Sequence, residues 1–247
     1  MRNISWFSCG AASAVATKLA LQPVLPVYCD TGAEHPDNKR FMADCEKWFG
    51  RSITIIKSEK YSDTWDVWLK RRYLCGPDGA ACTVELKVKP RLDFQTPHDV
   101  HVFGYTADHN DFARAKRMRE TYPELMIETP LIERGLTKVA CLAILERAGI
   151  QPPVMYGLGF RNNNCIPCVK ARAPGYWAAI RKHFPDKFDR MAKISREMGV
   201  KLTWLPSGDK GFIDEIPLDY PVLEPIGPDC DFLCHIAEQD FVRWSVT

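Results

Sequence analysis

The alternation of apolar and helical segments in the first 56 residues is the feature that most constrains this fold. Apolar runs lie at residues 4–7, 24–28 and 52–56, and helical stretches lie between them at 12–21 and 36–50. This order predicts a parallel sheet, because successive parallel strands must be joined by a crossover, which is usually a helix. We therefore expect an α/β fold with a doubly wound sheet.

The alternation resumes after an interruption. A segment at 74–90 is punctuated by Gly and Pro and carries two cysteines. Strands are then predicted at 100–105 and 125–127, and helices at 111–120 and 137–148. With the first three strands, these complete a mainly parallel sheet of five strands, of Rossmann-like type.

The regular pattern ends before the last third of the chain. Helical stretches follow at 176–184 and 188–198, and the last forty-odd residues are rich in Pro, Gly and acids. A chain of 247 residues is long enough for one substantial core. We therefore assign residues 1–172 to one α/β domain with the inserted segment 74–90, and residues 173–247 to a helical and irregular extension.

Charge is unevenly distributed in that last third. Residues 161–201 hold ten Lys or Arg against three acids, whereas residues 204–240 hold one Lys against nine acids. A basic stretch that begins beside Tyr176 and Trp177 could contact nucleic acid or a nucleotide phosphate. The simpler interpretation, which we favour from the residues alone, is a solvated helix face paired with the acidic tail.

Cysteine usage and hydropathy bear on the compartment. The sequence has no apolar run of about 18 residues and no recognisable secretion signal, so we expect a cytoplasmic protein without a membrane partner. Ten cysteines in a reducing compartment argue against a disulfide framework. They favour metal, redox or buried-thiol roles.

The loop from Ser8 to Ser13 follows the first strand, where parallel sheets bind ligands. Gly10 and two alanines allow backbone amides to approach a phosphate, and the hydroxyls of Ser8 and Ser13 can add hydrogen bonds. A glycine turn that only starts a helix would look similar, so these residues alone leave both interpretations open.

The same loop resembles the pyrophosphate loop of the PP-loop superfamily, written SGGxDS. Cys9 replaces the first glycine and Ala12 replaces the aspartate. Asp30-Thr31-Gly32, with Pro36 after it, resembles the DTG-x-x-x-P element of the phosphoadenosine-phosphosulfate reductase family. Gly104-Tyr105, Asp108 and Arg114-Ala115 resemble a later strand-end motif of that family more loosely. The likeness covers roughly residues 1–170.

This resemblance implies that the chain binds ATP or an adenylylated or sulfated adenine nucleotide such as phosphoadenosine phosphosulfate, with Mg²⁺ as an accompanying ion in the ATP case. Asp30 has a second interpretation, as a capping acid at a helix start. The residues expected to contact the nucleotide are Ser8, Gly10, Ala11, Ser13, Asp30, Thr31, Lys87 and Gly104.

Four cysteines form a candidate metal site. Cys165 and Cys168 have the C-x-x-C spacing, which suits zinc, an iron–sulfur cluster or a dithiol, and Cys75 and Cys82 lie in the inserted segment. The stretch from Cys82 to Pro90 resembles a C-T-x-x-L-K-x-x-P element of this family branch, which includes iron–sulfur enzymes of DNA phosphorothioation. The resemblance favours a four-iron four-sulfur cluster, with structural zinc and uncoordinated thiols as alternatives.

A sulfonucleotide reductase also needs a nucleophilic cysteine, which the family carries near the C-terminus before a histidine. Cys234-His235 is the candidate here. An imidazolium beside the thiol would favour the reactive thiolate, whereas the neighbouring Asp229 and Asp231 would disfavour it. The fuller C-terminal motif of the family is not visible in the sequence.

Three functions follow as expectations. The first is an enzyme of sulfur metabolism that resembles phosphoadenosine-phosphosulfate reductase and takes electrons from a thioredoxin-like reductant. The second is an ATP-pyrophosphatase that adenylates a nucleic acid, tRNA or DNA, before thiolation. The third is a non-catalytic nucleotide-binding protein with a structural or redox-sensing metal site. A homodimer is compatible with each of the three.

Overall fold

A computed structural model of the protein describes residues 1–20, 23–77 and 79–225. Its main sheet has five strands, and two short antiparallel hairpins accompany it. The strands are β1 (Asn3–Trp6), β2 (Leu25–Asp30), β3 (Thr54–Lys57), β4 (Cys75–Gly76), β5 (Gly79–Ala80), β6 (Val100–Val102), β7 (Met126–Glu128), β8 (Thr203–Trp204) and β9 (Lys210–Gly211).

The order of strands in the main sheet is β3-β2-β1-β6-β7, and all four pairings are parallel. The order reverses direction at β1, so the chain winds outward first to one side and then to the other. This confirms the predicted α/β class and the doubly wound, parallel five-stranded sheet. The loops after β1 and β6 meet at the reversal, where such sheets bind ligands.

The helices that follow these strands match the predicted alternation. Lys89–Phe94 continues directly from a π-helical turn at Val84–Val88, and a 3₁₀ turn lies at Ile213–Glu215. The helices are α1 (Ala11–Leu19), α2 (Asn38–Phe49), α3 (Thr64–Arg71), α4 (Ala81–Thr83), α5 (Lys89–Phe94), α6 (His109–Thr121), α7 (Pro130–Glu133), α8 (Lys138–Arg147), α9 (Val154–Gly157), α10 (Pro174–His183) and α11 (Pro185–Glu197).

The two faces of the sheet are covered differently. On one face, α1, α2 and α8 bury a large apolar core that contains Phe7, Phe41 and Leu145. On the other face, a smaller group around Trp6 and Val27 is partly covered by Phe94 and Phe103. The thinner cover leaves room for a cavity on this second face.

A second core links the inserted segment to the C-terminal third. Trp68 from α3 and Cys75 pack in one apolar cluster with Trp177 of α10, Phe188 of α11 and Ile213. Each of these side chains is buried. The cluster therefore joins residues on both sides of the predicted domain boundary near residue 172.

Among the described residues, no helix combines the length and the apolar character needed to span a bilayer.

Candidate functional site

The loop between β1 and α1 folds around the hydroxyl of Ser13. The amides of Ser8 and Gly10 donate to this oxygen at 3.0 and 3.3 Å, and the hydroxyl donates to the carbonyl of Gly10 at 2.9 Å. These two amides are engaged by the Ser13 side chain, and it is the start of α1 itself that favours a bound anion. Cys9 has a φ of 57°, a left-handed conformation that glycine adopts at little cost, which explains why glycine suits this position in the resembled motif.

The loop is braced from the opposite side of the site. The Tyr156 hydroxyl accepts a hydrogen bond from the Ala11 amide at 3.2 Å, and the Asn163 side-chain amide donates to the Cys9 carbonyl. Burial raises the pKa of Tyr156 to about 12, so the phenol stays neutral. The Ala11 amide is therefore already engaged, and Ala11 is not among the residues that line the neighbouring cavity.

A cavity of about 700 Å³ opens beside this loop. Ser8, Gly10, Ser13, Gly104 and Lys87 line it, so the structure brings five of the eight predicted nucleotide contacts to one place. Gly104 packs directly against the backbone of Ser13. The loop after β6 and the loop after β1 thus form one continuous wall.

The charge of the cavity wall is strongly one-sided. Among the described residues that line it, the acidic side chain is Asp111 alone. That carboxylate is engaged, because it pairs with Arg114 at 2.7 Å and accepts from the amide and hydroxyl of Thr106. The seven basic side chains of the wall are Lys87, Arg91, Arg114, Lys138, Arg161, Lys170 and Arg172. Such a wall selects a ligand with several negative charges.

Part of the lining is apolar. It includes Trp6, Val27, Val88 and Phe103, and the first two pack in one cluster with Phe103. The Trp6 ring is fixed, because its indole nitrogen donates to His101 Nδ1 at 3.0 Å. An apolar slot beside a cationic wall suits a molecule with a flat base and attached phosphates.

Asp30 and Thr31 lie just outside the residues that line the cavity. Asp30 accepts from the amide of Gly32 at 2.9 Å and pairs with Lys57 at 2.9 Å. Burial acts to raise the pKa of Asp30, but these two partners outweigh it and lower the pKa. The Thr31 hydroxyl lies 3.0 Å from the sulfur of Cys165.

Glu34 is a polar residue of the site that the sequence reasoning missed. It lies in the three-residue spacer of the DTG-x-x-x-P element, and one of its oxygens is 3.4 Å from Lys87 Nζ. Burial acts to lower the pKa of Lys87, but Glu34 and nearby thiols outweigh it and raise the pKa. Lys87 is therefore charged at neutral pH where it lines the cavity.

Each of the four predicted metal-binding cysteines lies in or close to this wall: Cys168 lines it, and the other three lie near Arg172, Lys170 or Lys87. Cys75 donates to the carbonyl of Val169, next to Cys168, at 3.2 Å and accepts from Arg172 at 3.4 Å. Burial is the main cause that raises the pKa of Cys82, and the charge of Cys168 adds to it. Burial also raises the pKa of Cys165 to about 12.

Thiols are the ligand type that an iron–sulfur cluster requires, and Lys170 and Arg172 lie near Cys82 and Cys75. Within the described ranges, no three His, Cys, Asp or Glu side chains are arranged to hold a single metal ion. Cys168 also lines the cavity, so a group held there would border a bound ligand. The predicted nucleophile Cys234 lies outside the described residues.

No protein-family model matches the sequence, and no curated protein matches it. Among solved structures, the phosphoadenylyl-sulfate (PAPS) reductase from Candida auris, in its phosphate complex, is similar to this chain. The TM-score is 0.48 at 12% identity, over 67% of this chain and 82% of that chain.

Proposed function

We propose that the protein is an enzyme of sulfur metabolism that binds a sulfated adenine nucleotide, as phosphoadenosine-phosphosulfate reductases do. The observation that carries the proposal is the cavity, which joins seven cationic side chains to an apolar slot. The amide-rich loop around Ser13 borders the same space. In this arrangement the phosphate lies at the loop and the base lies against Trp6 and Phe103.

The scarcity of free carboxylates among the described residues of the cavity wall favours a sulfated nucleotide over magnesium-bound ATP. Mg²⁺ in nucleotide sites is usually held by one or two carboxylates besides the phosphates. Ala12 lines the cavity where the pyrophosphate loop of the superfamily carries an aspartate, and Asp111 is already paired with Arg114. A substrate whose charge is offset by lysine and arginine fits this wall better.

The proposed reaction is a reduction by thiols. A cysteine thiolate attacks the sulfate sulfur, the S–O bond breaks, and the nucleotide leaves with the oxygen on its phosphate. A dithiol protein of thioredoxin type then attacks the cysteine sulfur and expels sulfite. The second thiol of that dithiol restores the enzyme cysteine and becomes part of a disulfide. Cys234 is the sequence candidate for the nucleophile.

In this account, the chain's cations hold the substrate in place. Lys87, Arg161 and Lys170 offset the charge of the phosphate and the sulfate, and the positive end of α1 adds to this attraction. Cys75, Cys82, Cys165 and Cys168 would hold a four-iron four-sulfur cluster, with zinc as the alternative. When bound, the cluster would tie the two cysteine loops together and tune the field at the sulfate.

A second candidate is adenylation of a nucleic acid by ATP with release of pyrophosphate. The observation that favours it is the exposure of Arg161, Lys170 and Arg172 among the residues that line the cavity. Three exposed cations could contact the phosphates of tRNA or DNA. Simple nucleotide binding without turnover is the remaining alternative.

Product analysis separates these functions. The protein, purified without oxygen, is incubated with phosphoadenosine phosphosulfate and reduced thioredoxin, and sulfite is measured. A parallel reaction contains ATP, Mg²⁺ and total tRNA or DNA, and pyrophosphate is measured. We expect sulfite that depends on the reductant. Pyrophosphate without sulfite would replace the proposal by the second candidate, and a bound nucleotide without either product would replace it by simple binding.

A further inference from the structure

We propose that Glu34 is a positioning residue that holds the Lys87 ammonium at the cavity wall and links it to Cys165. This inference rests on the proposed function, because Lys87 acts on a bound nucleotide anion. The DTG-x-x-x-P motif specifies no residue at the position of Glu34, between Gly32 and Pro36.

One oxygen of Glu34 faces the site. Its Oε1 lies 3.4 Å from Lys87 Nζ and 3.4 Å from the Thr31 hydroxyl. The sulfur of Cys165 lies 4.0 Å from the same oxygen. A single carboxylate oxygen therefore contacts the DTG element, the π-helical turn and the C-x-x-C loop.

The other oxygen anchors the carboxylate. Oε2 accepts from the Tyr28 hydroxyl and, at 2.8 Å, from the Asn38 side-chain amide. These partners belong to β2 and to the first turn of α2, which are held by the main core. The Glu34 side chain is 4% exposed. A buried carboxylate with partners on both oxygens cannot turn away without leaving polar groups unsatisfied.

Lys87 depends on this anchor. It extends from the π-helical turn, its side chain is 39% exposed, and Glu34 is its ion-pair partner in the described part of the chain. A free lysine side chain samples many rotamers, and ordering it on ligand binding costs affinity. Contact with a fixed carboxylate restricts those rotamers before the ligand arrives.

Glu85 provides a matched control on the same turn. Its side chain is 3% exposed and pairs with Lys89 at 2.9 Å and Arg71 at 3.0 Å. Neither Glu85 nor these two partners line the cavity. Loss of the Glu85 charge should therefore lower stability without changing the position of Lys87.

The test is a double-mutant cycle with ADP as the probe. Isothermal titration calorimetry measures the Kd of the wild type, Glu34→Gln, Lys87→Met, the double variant and Glu85→Gln. We expect Lys87→Met to weaken ADP binding about tenfold and Glu34→Gln about fivefold, because a charge-assisted contact is lost or misplaced. In the Lys87→Met background, Glu34→Gln should add less than about twofold. Glu85→Gln should stay within about twofold of the wild type.

Two results would overturn the inference. One is a fivefold loss of ADP affinity from Glu34→Gln that persists in the Lys87→Met background. The other is no loss of ADP affinity in Glu34→Gln alone. Glu34→Asp, which keeps the charge on a shorter side chain, should regain part of the lost affinity. Thermal unfolding identifies any variant that fails to fold. If Glu34→Gln fails to fold, Glu34→Asp replaces it in the cycle. A wild type that does not bind ADP would overturn the proposed function together with this inference.

Discussion

Gly104 lies so close to Ser13 that no side chain fits between them. A β-carbon on Gly104 would lie 2.7 Å from the α-carbon of Ser13 and 2.8 Å from its amide nitrogen, under the 3.0 Å that such contacts keep. The neighbouring atoms belong to the backbone of α1 and cannot rotate away. The loop after β6 therefore packs on the amide-rich loop only because residue 104 is glycine.

Gly104→Ala tests this contact. The added methyl group should force the two loops apart, weaken ADP binding at least about tenfold and cost about 1–3 kcal/mol of unfolding free energy. Isothermal titration calorimetry gives the affinity, and urea denaturation gives the stability. Gly157→Ala is the matched control, since a β-carbon there would have open space around it. Equal ADP affinity in both variants would contradict the close packing.

Asp99 supplies a prediction about pH. Its buried carboxylate accepts from Arg2 Nη2 at 2.6 Å and from the Thr96 amide at 2.7 Å. The hydrogen bond from Arg2 is the main cause that holds the pKa of Asp99 well below its usual range. The stability that this gives is therefore present at neutral pH. It is lost as the pH falls below about 4, the pKa of an aspartate in an unfolded chain.

Asp99→Asn should lower the unfolding free energy at pH 7 by about 2 kcal/mol. The difference from the wild type should shrink as the pH falls below about 4. Urea denaturation at several pH values measures it. Glu120→Gln is the control, because within the described residues Glu120 forms an exposed pair with Lys116 at 3.8 Å and its loss should change nothing measurable. A difference that is constant down to low pH would contradict the account.

The cysteine site predicts the outcome of cluster reconstitution. After anaerobic reconstitution, the wild type should contain about four irons and four sulfides per chain. Cys82→Ala and Cys168→Ala should lose most of this iron, because each removes a proposed ligand. Cys45→Ala should keep it, since Cys45 is buried in the main core, far in sequence from both cysteine loops. Full iron in all three variants would rule out these ligands, and stoichiometric zinc would assign the alternative metal.

Much of the fold could be predicted because its signals are local. The alternation of apolar runs and helices predicts where the strands lie along the chain. Parallel strands then bring their carboxyl ends to one edge of the sheet. Ser8 and Ser13 could therefore be assigned to a ligand site after the first strand, whereas Gly104 was assigned to it by the resemblance to the family's strand-end motif. The predicted ends of the helices and strands were less accurate. The strand expected at 100–105 ends at Val102, and Gly104 lies in the loop that follows.

Other parts of the site depend on contacts between distant segments. The Ala11 amide and the Tyr156 hydroxyl that it donates to are 145 residues apart in the sequence, and no local pattern predicts this hydrogen bond. Glu34 lies inside a recognised motif, but its contact with Lys87 joins two elements 53 residues apart. Helix α3 was missed as well, although Asp63, which caps it by accepting from the Asp66 amide, is a recognisable start signal.

The measurement that tests the central claim most directly is a calorimetric titration of the wild-type protein with adenine nucleotides. Adenosine 3′,5′-bisphosphate, ADP and adenosine are titrated in turn, with GDP as the base control. We predict affinities that rise with the number of phosphates, weaken with added salt, and favour ADP over GDP. Equal, weak binding of adenosine and the phosphorylated forms, or no binding at millimolar concentrations, would contradict a nucleotide site in this cavity.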